Sequence, residues 1–204
     1  MATTTGTMGG AASAMSAEER LAREPALRLD TRTIVGGLLL AVAFSATMQV
    51  TERLDQIWTG GIAVPLGHTG GAIWWPVTVI YFGLTGALLT SNFNPILAIL
   101  SATHPLAWSF PFLNMSMTIP LFFMFRWYLR TKGPLTLVPF VVIASIADFG
   151  TNLIQAIALS YMVLKLPINV IILLFIWQWG LATIVGAPIG YQVYKAFSRA
   201  GVFS

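Results

Sequence analysis

The sequence predicts an all-α integral membrane protein, a six-transmembrane-helix bundle with both termini cytoplasmic. Three observations carry this. Of 204 residues, 56% are hydrophobic and only 9% charged, against roughly a quarter in an ordinary soluble domain. No Asp, Glu, Lys or Arg occurs between Asp55 and Arg126, nor between Lys165 and Lys195. The basic residues sit at the ends of these apolar runs, where they report topology. Mean hydropathy is +0.78, and the length allows about six helices of 20 to 25 residues.

The elements follow in chain order. Residues 1–32 read as a disordered tail and a short interfacial helix; Ser16-Ala17-Glu18-Glu19 carries the signature of an N-cap with an acidic first turn. Residues 33–204 form the six-helix substrate-binding domain. The first span is 33–51, ending at Glu52, Arg53 and Asp55. Segment 56–71 holds Gly60, Gly61, Pro65, Gly67, Gly70 and Gly71 and reads as a loop or re-entrant cover. The second span is 72–90, with a turn at Asn92-Phe93-Asn94-Pro95. Spans 95–110, 114–129, 135–164 and 168–194 follow, the last two separated by Lys165-Leu166-Pro167.

Orientation follows from the cations. With the N-terminus inside, Arg20, Arg23, Arg28, Arg32, Arg126, Arg130, Lys132, Lys195 and Arg199 are cytoplasmic, leaving Arg53 and Lys165 outside. That positive-inside bias agrees with an even number of spans in the cell membrane. The net charge of +4 therefore marks a lipid bilayer and its topology, not a nucleic-acid partner.

Polar residues inside the spans are costly to bury and so are candidates for function. Asp148, Asn152 and Gln155 share one face of the fifth helix at spacings of four and three. Asp148 is the only acid within any expected span, so it requires a partner, a proton or a ligand cation. Two readings stand side by side: an interhelical hydrogen-bond cluster, or a substrate-binding group. Trp74, Trp75, Trp108, Asn114 and Gln178, the last between Trp177 and Trp179, fall at compatible depths to line one outward-facing pocket. Aromatic walls with a few amides and an acid suit a small heteroaromatic, cationic substrate. The competing reading of Trp74, Trp75 and Trp108 is the ordinary interfacial belt.

His68 and His104 are expected in outer loops, in loop or capping roles. Neither sits in a His-Glu-x-x-His pattern, and no Gly-x-Ser-x-Gly or phosphate-binding Gly-x-x-x-x-Gly-Lys run occurs. The chain offers no catalytic residues, metal ligands or cofactor motif, and is read as a non-enzyme. Gly37, Ala41 and Ser45 recur every four residues on the first span, and Gly83/Ala87 and Gly186/Gly190 repeat that spacing; such stripes let helices approach closely, inside the chain or across to a partner.

This layout resembles the substrate-binding S component of energy-coupling factor transporters. The resemblance rests on six spans in about 200 residues, a small-residue first helix after a basic lead, a Gly/Pro-rich first outer loop, and Gly186-Ala187-Pro188-Ile189-Gly190-Tyr191 before Lys195. It implies high-affinity capture of a vitamin or similar micronutrient, without ATPase activity in this chain. A transmembrane coupling protein and two ATPase subunits would act in trans. It further implies that Gly37, Ala41 and Ser45 dock the coupling protein and that 56–71 covers the ligand. The alternative is a non-catalytic integral subunit of a respiratory or photosynthetic complex, its Trp and Phe residues packing on lipid, pigment or quinone.

Overall fold

A computed structural model describes residues 15–101 and 106–203, which form helices joined by short connections, with no strand among the described residues. Five helices are long and apolar enough to cross a membrane: Thr31–Thr59, Pro65–Leu100, Ala107–Thr131, Leu137–Val163 and Ile168–Ala200. We label the elements α1 (Ala17–Arg23), α2 (Thr31–Thr59), α3 (Pro65–Ser101), α4 (Phe110–Thr131), α5 (Leu137–Gln155), α6 (Ile168–Leu181) and α7 (Ala187–Ala200). A wider π-helical stretch, Ala156–Val163, extends α5, and another, Ala182–Gly186, joins α6 to α7.

The chain reverses inside α3, at Gly83, whose φ of 62° and ψ of −154° are open to glycine almost alone. The first arm, 65–82, runs antiparallel to α2: Phe82 packs on Gly36, Trp74 Nε1 donates to Thr47 Oγ1, and the start of the arm meets Asp55. The second arm, 84–101, runs back parallel to α2. Here the Arg28 N–H donates to Thr85 Oγ1, Thr90 to the Gly37 carbonyl, and Asn94 to Glu52. The expected turn at 92–95 is instead continuous helix containing Pro95. The asparagines that suggest a turn are otherwise engaged, Asn92 on the Leu88 carbonyl and Asn94 on the Glu52 carboxylate.

The first arm is the centre of the molecule. Val77, Val79, Ile80 and Phe82 are buried, as an uncharged helix that is apolar all round must be. α7 and the π-helical stretch before it reach the arm backbone to backbone: a Cβ at Gly186 would lie 2.7 Å from the Thr69 carbonyl oxygen, and one at Gly190 would lie 2.9 Å from that of Ala72. The Gly186/Gly190 pair is therefore an internal contact.

Segment 56–71 is mostly helical, which corrects its reading as a loop. α2 continues to Thr59 and ends at Gly60 in the left-handed conformation, and α3 begins at Pro65, leaving only 60–64 between them. The extra turns of α2 draw Glu52 and Asp55 into the interior, at 4% and 0% exposure, so Asp148 is not the only buried acid. Both carboxylates follow Met48 on one helical face.

At the opposite end, α1 straps the bundle. Ser16 caps it in a reciprocal capping box with Glu19. Glu18 accepts from the Leu135 N–H and the Tyr194 hydroxyl, Arg130 Nε donates to the Ala22 carbonyl, and Arg20 to that of Phe203. Asp30 caps α2, and the Thr33 backbone N–H it accepts holds its carboxyl below the usual range. The expected disordered tail at residues 1–14 lies outside the described residues, as does His104.

Gly83→Ala is expected to destabilise the fold by about 1 to 3 kcal/mol, because any side chain is strained at this backbone conformation and the new Cβ would meet the Arg28 guanidinium at 3.2 Å. Thermal unfolding in detergent checks this, with Gly150→Ala, which meets nothing within 4 Å, as the control.

Candidate functional site

α5 divides cleanly by helical period. Val138, Val142, Ile146 and Leu153 are exposed on an apolar outer face, while Ala144, Asp148, Thr151, Asn152 and Gln155 turn inward. The expected polar face thus exists, and it meets a residue that sequence reasoning placed in a loop. His68, on the second turn of α3, is buried between the two helices. Its Nδ1 lies 2.9 Å from Asp148 Oδ1 and its Nε2 lies 2.8 Å from Gln155 Oε1. Asn152 Nδ2 donates to Asp148 Oδ2 at 3.0 Å.

The proton count follows from the direction of the hydrogen bonds. The Val64 backbone N–H can only donate, and it donates to Gln178 Oε1 at 3.0 Å. Gln155 Nε2 donates to the same oxygen at 3.3 Å, which leaves Gln155 Oε1 as the acceptor facing His68 Nε2. Nε2 therefore carries a proton, and one further proton lies between Nδ1 and the Asp148 carboxylate. The His68–Asp148 pair is neutral as a unit, which is what a low-dielectric interior requires. The same chain of bonds connects α5, α6 and the 60–64 segment.

A cavity of about 40 Å³ opens beside this network, enough for a few waters. Its walls are built from α2 (Met48, Glu52), both arms of α3 (His68, Trp75, Asn94), α4 (Leu113, Asn114) and α5 (Thr151, Gln155), with Val64 at the 60–64 end. Of the expected substrate-binding residues, Trp75, Asn114 and Gln155 line it. Asp148 and Asn152 stand behind His68 and are not among the residues that line the cavity. Gln178 is one bond further back, on Val64. Trp74 is committed to Thr47, and Trp108 is 55% exposed on the outside, in keeping with an interfacial belt. Trp177 is exposed as well, while Trp179 donates to the Ser145 carbonyl.

The residues missed are Glu52, His68 and Asn94. Their one signal in the sequence is polarity next to long apolar runs, and each was assigned to an expected boundary. The stripe expected to dock a partner packs inside the chain: Gly37, Ala41 and Ser45 are all buried. Gly37 packs against Gly86 of α3's second arm, where a Cβ would come within 3.0 Å of the Gly86 Cα. That face is taken up by internal packing.

Among the described residues, no three His, Asp or Glu side chains converge to hold a metal ion. Asp55 is engaged at the start of α3, where its two oxygens accept from the Leu66 and Gly67 N–H groups at 3.0 and 2.9 Å. Two polar atoms of the cavity residues have no partner in the protein: Trp75 Nε1, a donor, and Asn94 Oδ1, an acceptor. Comparison with known proteins gives no matching family model, curated protein or solved structure.

Asp148→Leu is expected to cost about 1 to 3 kcal/mol of stability by taking the carboxylate partner from the buried His68 ring. The double variant His68→Leu/Asp148→Leu should lose less than the sum of the two single changes. Thermal unfolding of the four proteins measures both, and additive losses would show that the pair is not coupled.

Proposed function

We propose that the chain is the substrate-capturing membrane subunit of an energy-coupling factor type importer. It takes a small vitamin-like micronutrient from outside the cell membrane and passes it on through a separate coupling protein driven by two ATPase subunits. The observation that carries this reading is the aromatic and amide-lined cavity next to the 60–64 segment, with an unpartnered donor and an unpartnered acceptor on cavity-lining side chains. Ligand sites are mostly apolar concavities with a few convergent polar groups. At about 40 Å³ the cavity is too small for a vitamin-sized guest, which enters only when its walls move apart.

The mouth has a defined hinge system. Val64 is held by Gln178, and Leu66 and Gly67 by Asp55, while Gly60 and Gly61 both have positive φ. Displacement of Val64 breaks one hydrogen bond to a side chain that also touches Gln155, so movement of the cover is coupled to the cavity wall. This is the role the resemblance assigns to the first outer loop, here reduced to a few residues.

We read the two arms of α3 as separate crossings, each about 27 Å long at 1.5 Å per residue, which makes six. An even number accords with α1 and Phe203 meeting at one end of the bundle, the end that gathers Arg20, Arg28 and Arg130. That end is cytoplasmic on the positive-inside rule, and 60–64 is external. Contact with a coupling protein must use residues other than Gly37, Ala41 and Ser45.

A second reading, an integral subunit of a larger membrane complex, draws on a wholly apolar groove of about 590 Å³ lined by Phe149, Leu153, Ile157, Tyr161, Ile172 and Phe175. A lipid tail or a partner helix suits it.

Two measurements test the proposal. A reporter at the C-terminus should be cytoplasmic and one inserted at Gly61 external; opposite sides for the termini would require an odd number of crossings. The protein purified in detergent should retain a specific small molecule, identified by mass spectrometry. A fixed set of co-purifying membrane proteins with no such molecule would favour the second reading.

A further inference from the structure

Three acids are buried in the helical bundle, and they differ in what they face. Asp148 is neutralised by His68, and Asp55 accepts two backbone N–H groups at the start of α3. Glu52 alone lines the cavity. Its Oε1 accepts from Asn94 Nδ2 at 2.8 Å, which fixes the orientation of the Asn94 amide and leaves Asn94 Oδ1 without a protein partner. Trp75, 4% exposed, also lines the cavity with its Nε1 unpartnered, and its ring is held against Phe44 at 5.5 Å between centroids. A buried donor and a buried acceptor left unmade are each costly, and here they belong to two side chains that line one space.

We infer that Glu52, Trp75 and Asn94 form a recognition face for a small nitrogen-bearing aromatic ring that presents N–H donors beside an acceptor atom. The donors answer the Glu52 carboxylate and Asn94 Oδ1, the acceptor answers Trp75 Nε1, and the Trp75 and Phe110 rings give the flat apolar walls such a ring needs. A carboxylate–amide pair that accepts, next to an indole that only donates, discriminates by hydrogen-bond pattern. An analogue without the donors leaves the Glu52 and Asn94 oxygens unmet, and one with no polar atoms leaves all three groups unmet. Selectivity therefore resides on α2 and α3 and not on Asp148. This rests on the proposed reading of the cavity as a ligand site, and it is independent of the coupling protein and ATPases.

The test uses the full chain in detergent and three probes of similar size: 2-aminopyridine, with donors and an acceptor; pyridine, with the acceptor only; and toluene, with neither. Calorimetric titration should rank them in that order. Trp75→Phe keeps the ring and breaks no hydrogen bond within the protein, and should weaken 2-aminopyridine by roughly threefold to tenfold, the size of one neutral hydrogen bond. Glu52→Gln should weaken it by roughly threefold to tenfold, because Asn94 keeps the remaining side-chain oxygen and an NH2 group replaces the second acceptor. Trp74→Phe, whose indole is bonded to Thr47 away from the cavity, is the control and should bind as wild type. Unfolding temperatures of all variants separate lost affinity from lost fold. Equal binding of toluene and 2-aminopyridine, or an unchanged affinity in folded Trp75→Phe and Glu52→Gln, overturns the inference while leaving a capture function intact. Binding of none of the probes also overturns it, and the capture reading then stands or falls on whether mass spectrometry finds a retained molecule.

Discussion

The pairing of His68 with Asp148 is the constraint around which the rest of the interior is arranged. A hydrocarbon surrounding supplies no water to charged or polar groups, so each buried one must be met by the protein itself. Setting the imidazole between Asp148 and Gln155 fixes the first arm of α3 against α5 at a single register. The remaining polar groups then fall into sequence: Gln155 meets Gln178, and Gln178 meets the Val64 backbone, so one chain of hydrogen bonds runs from the centre of the bundle to the segment that covers its cavity. The pair acts through position, and the groups it holds, His68 and Gln155, line the cavity.

That arrangement also explains why so much polarity can be buried beside so small a cavity. Asp55 stabilises the start of α3, where two N–H groups point outward from the helix end. Asp148 is matched by the His68 ring, with which it shares a proton. Glu52 meets only the amide of Asn94 and keeps its face toward the cavity. Three chemically similar side chains thus do different work, decided by which helix end, ring or amide lies opposite.

The reversal at Gly83 makes this geometry reachable. It lets one continuous apolar stretch supply both a central arm beside α2, α5 and α7 and a returning arm that brings Asn94 to Glu52. A break of this kind exposes backbone groups, which is tolerated where protein covers them. Here Arg28 packs over Gly83 and its own N–H is received by Thr85, the first side chain able to do so after the bend.

The sequence by itself determined the class of molecule, since charge-free runs of such length have no stable home in water, and it determined the inward face of α5, because Asp148, Asn152 and Gln155 can share a face only in a helix. The break at Lys165-Leu166-Pro167 and the cap at Ser16 were equally legible, as proline and N-cap chemistry act within a few residues. What only the tertiary structure decided were the choices that depend on a partner far away in the chain. Gly83 looked like a packing residue and is the bend; Asn92 and Asn94 looked like turn formers and are helical, because Leu88 and Glu52 satisfy them. Glu52, Asp55 and His68 looked like boundary residues, and burial reaches them because their carboxylates and ring find partners 42, 11 and 80 positions away. Local sequence reports propensity and period, whereas the cost of burying a polar group is set by whether another helix answers it, and that is a property of the assembled bundle.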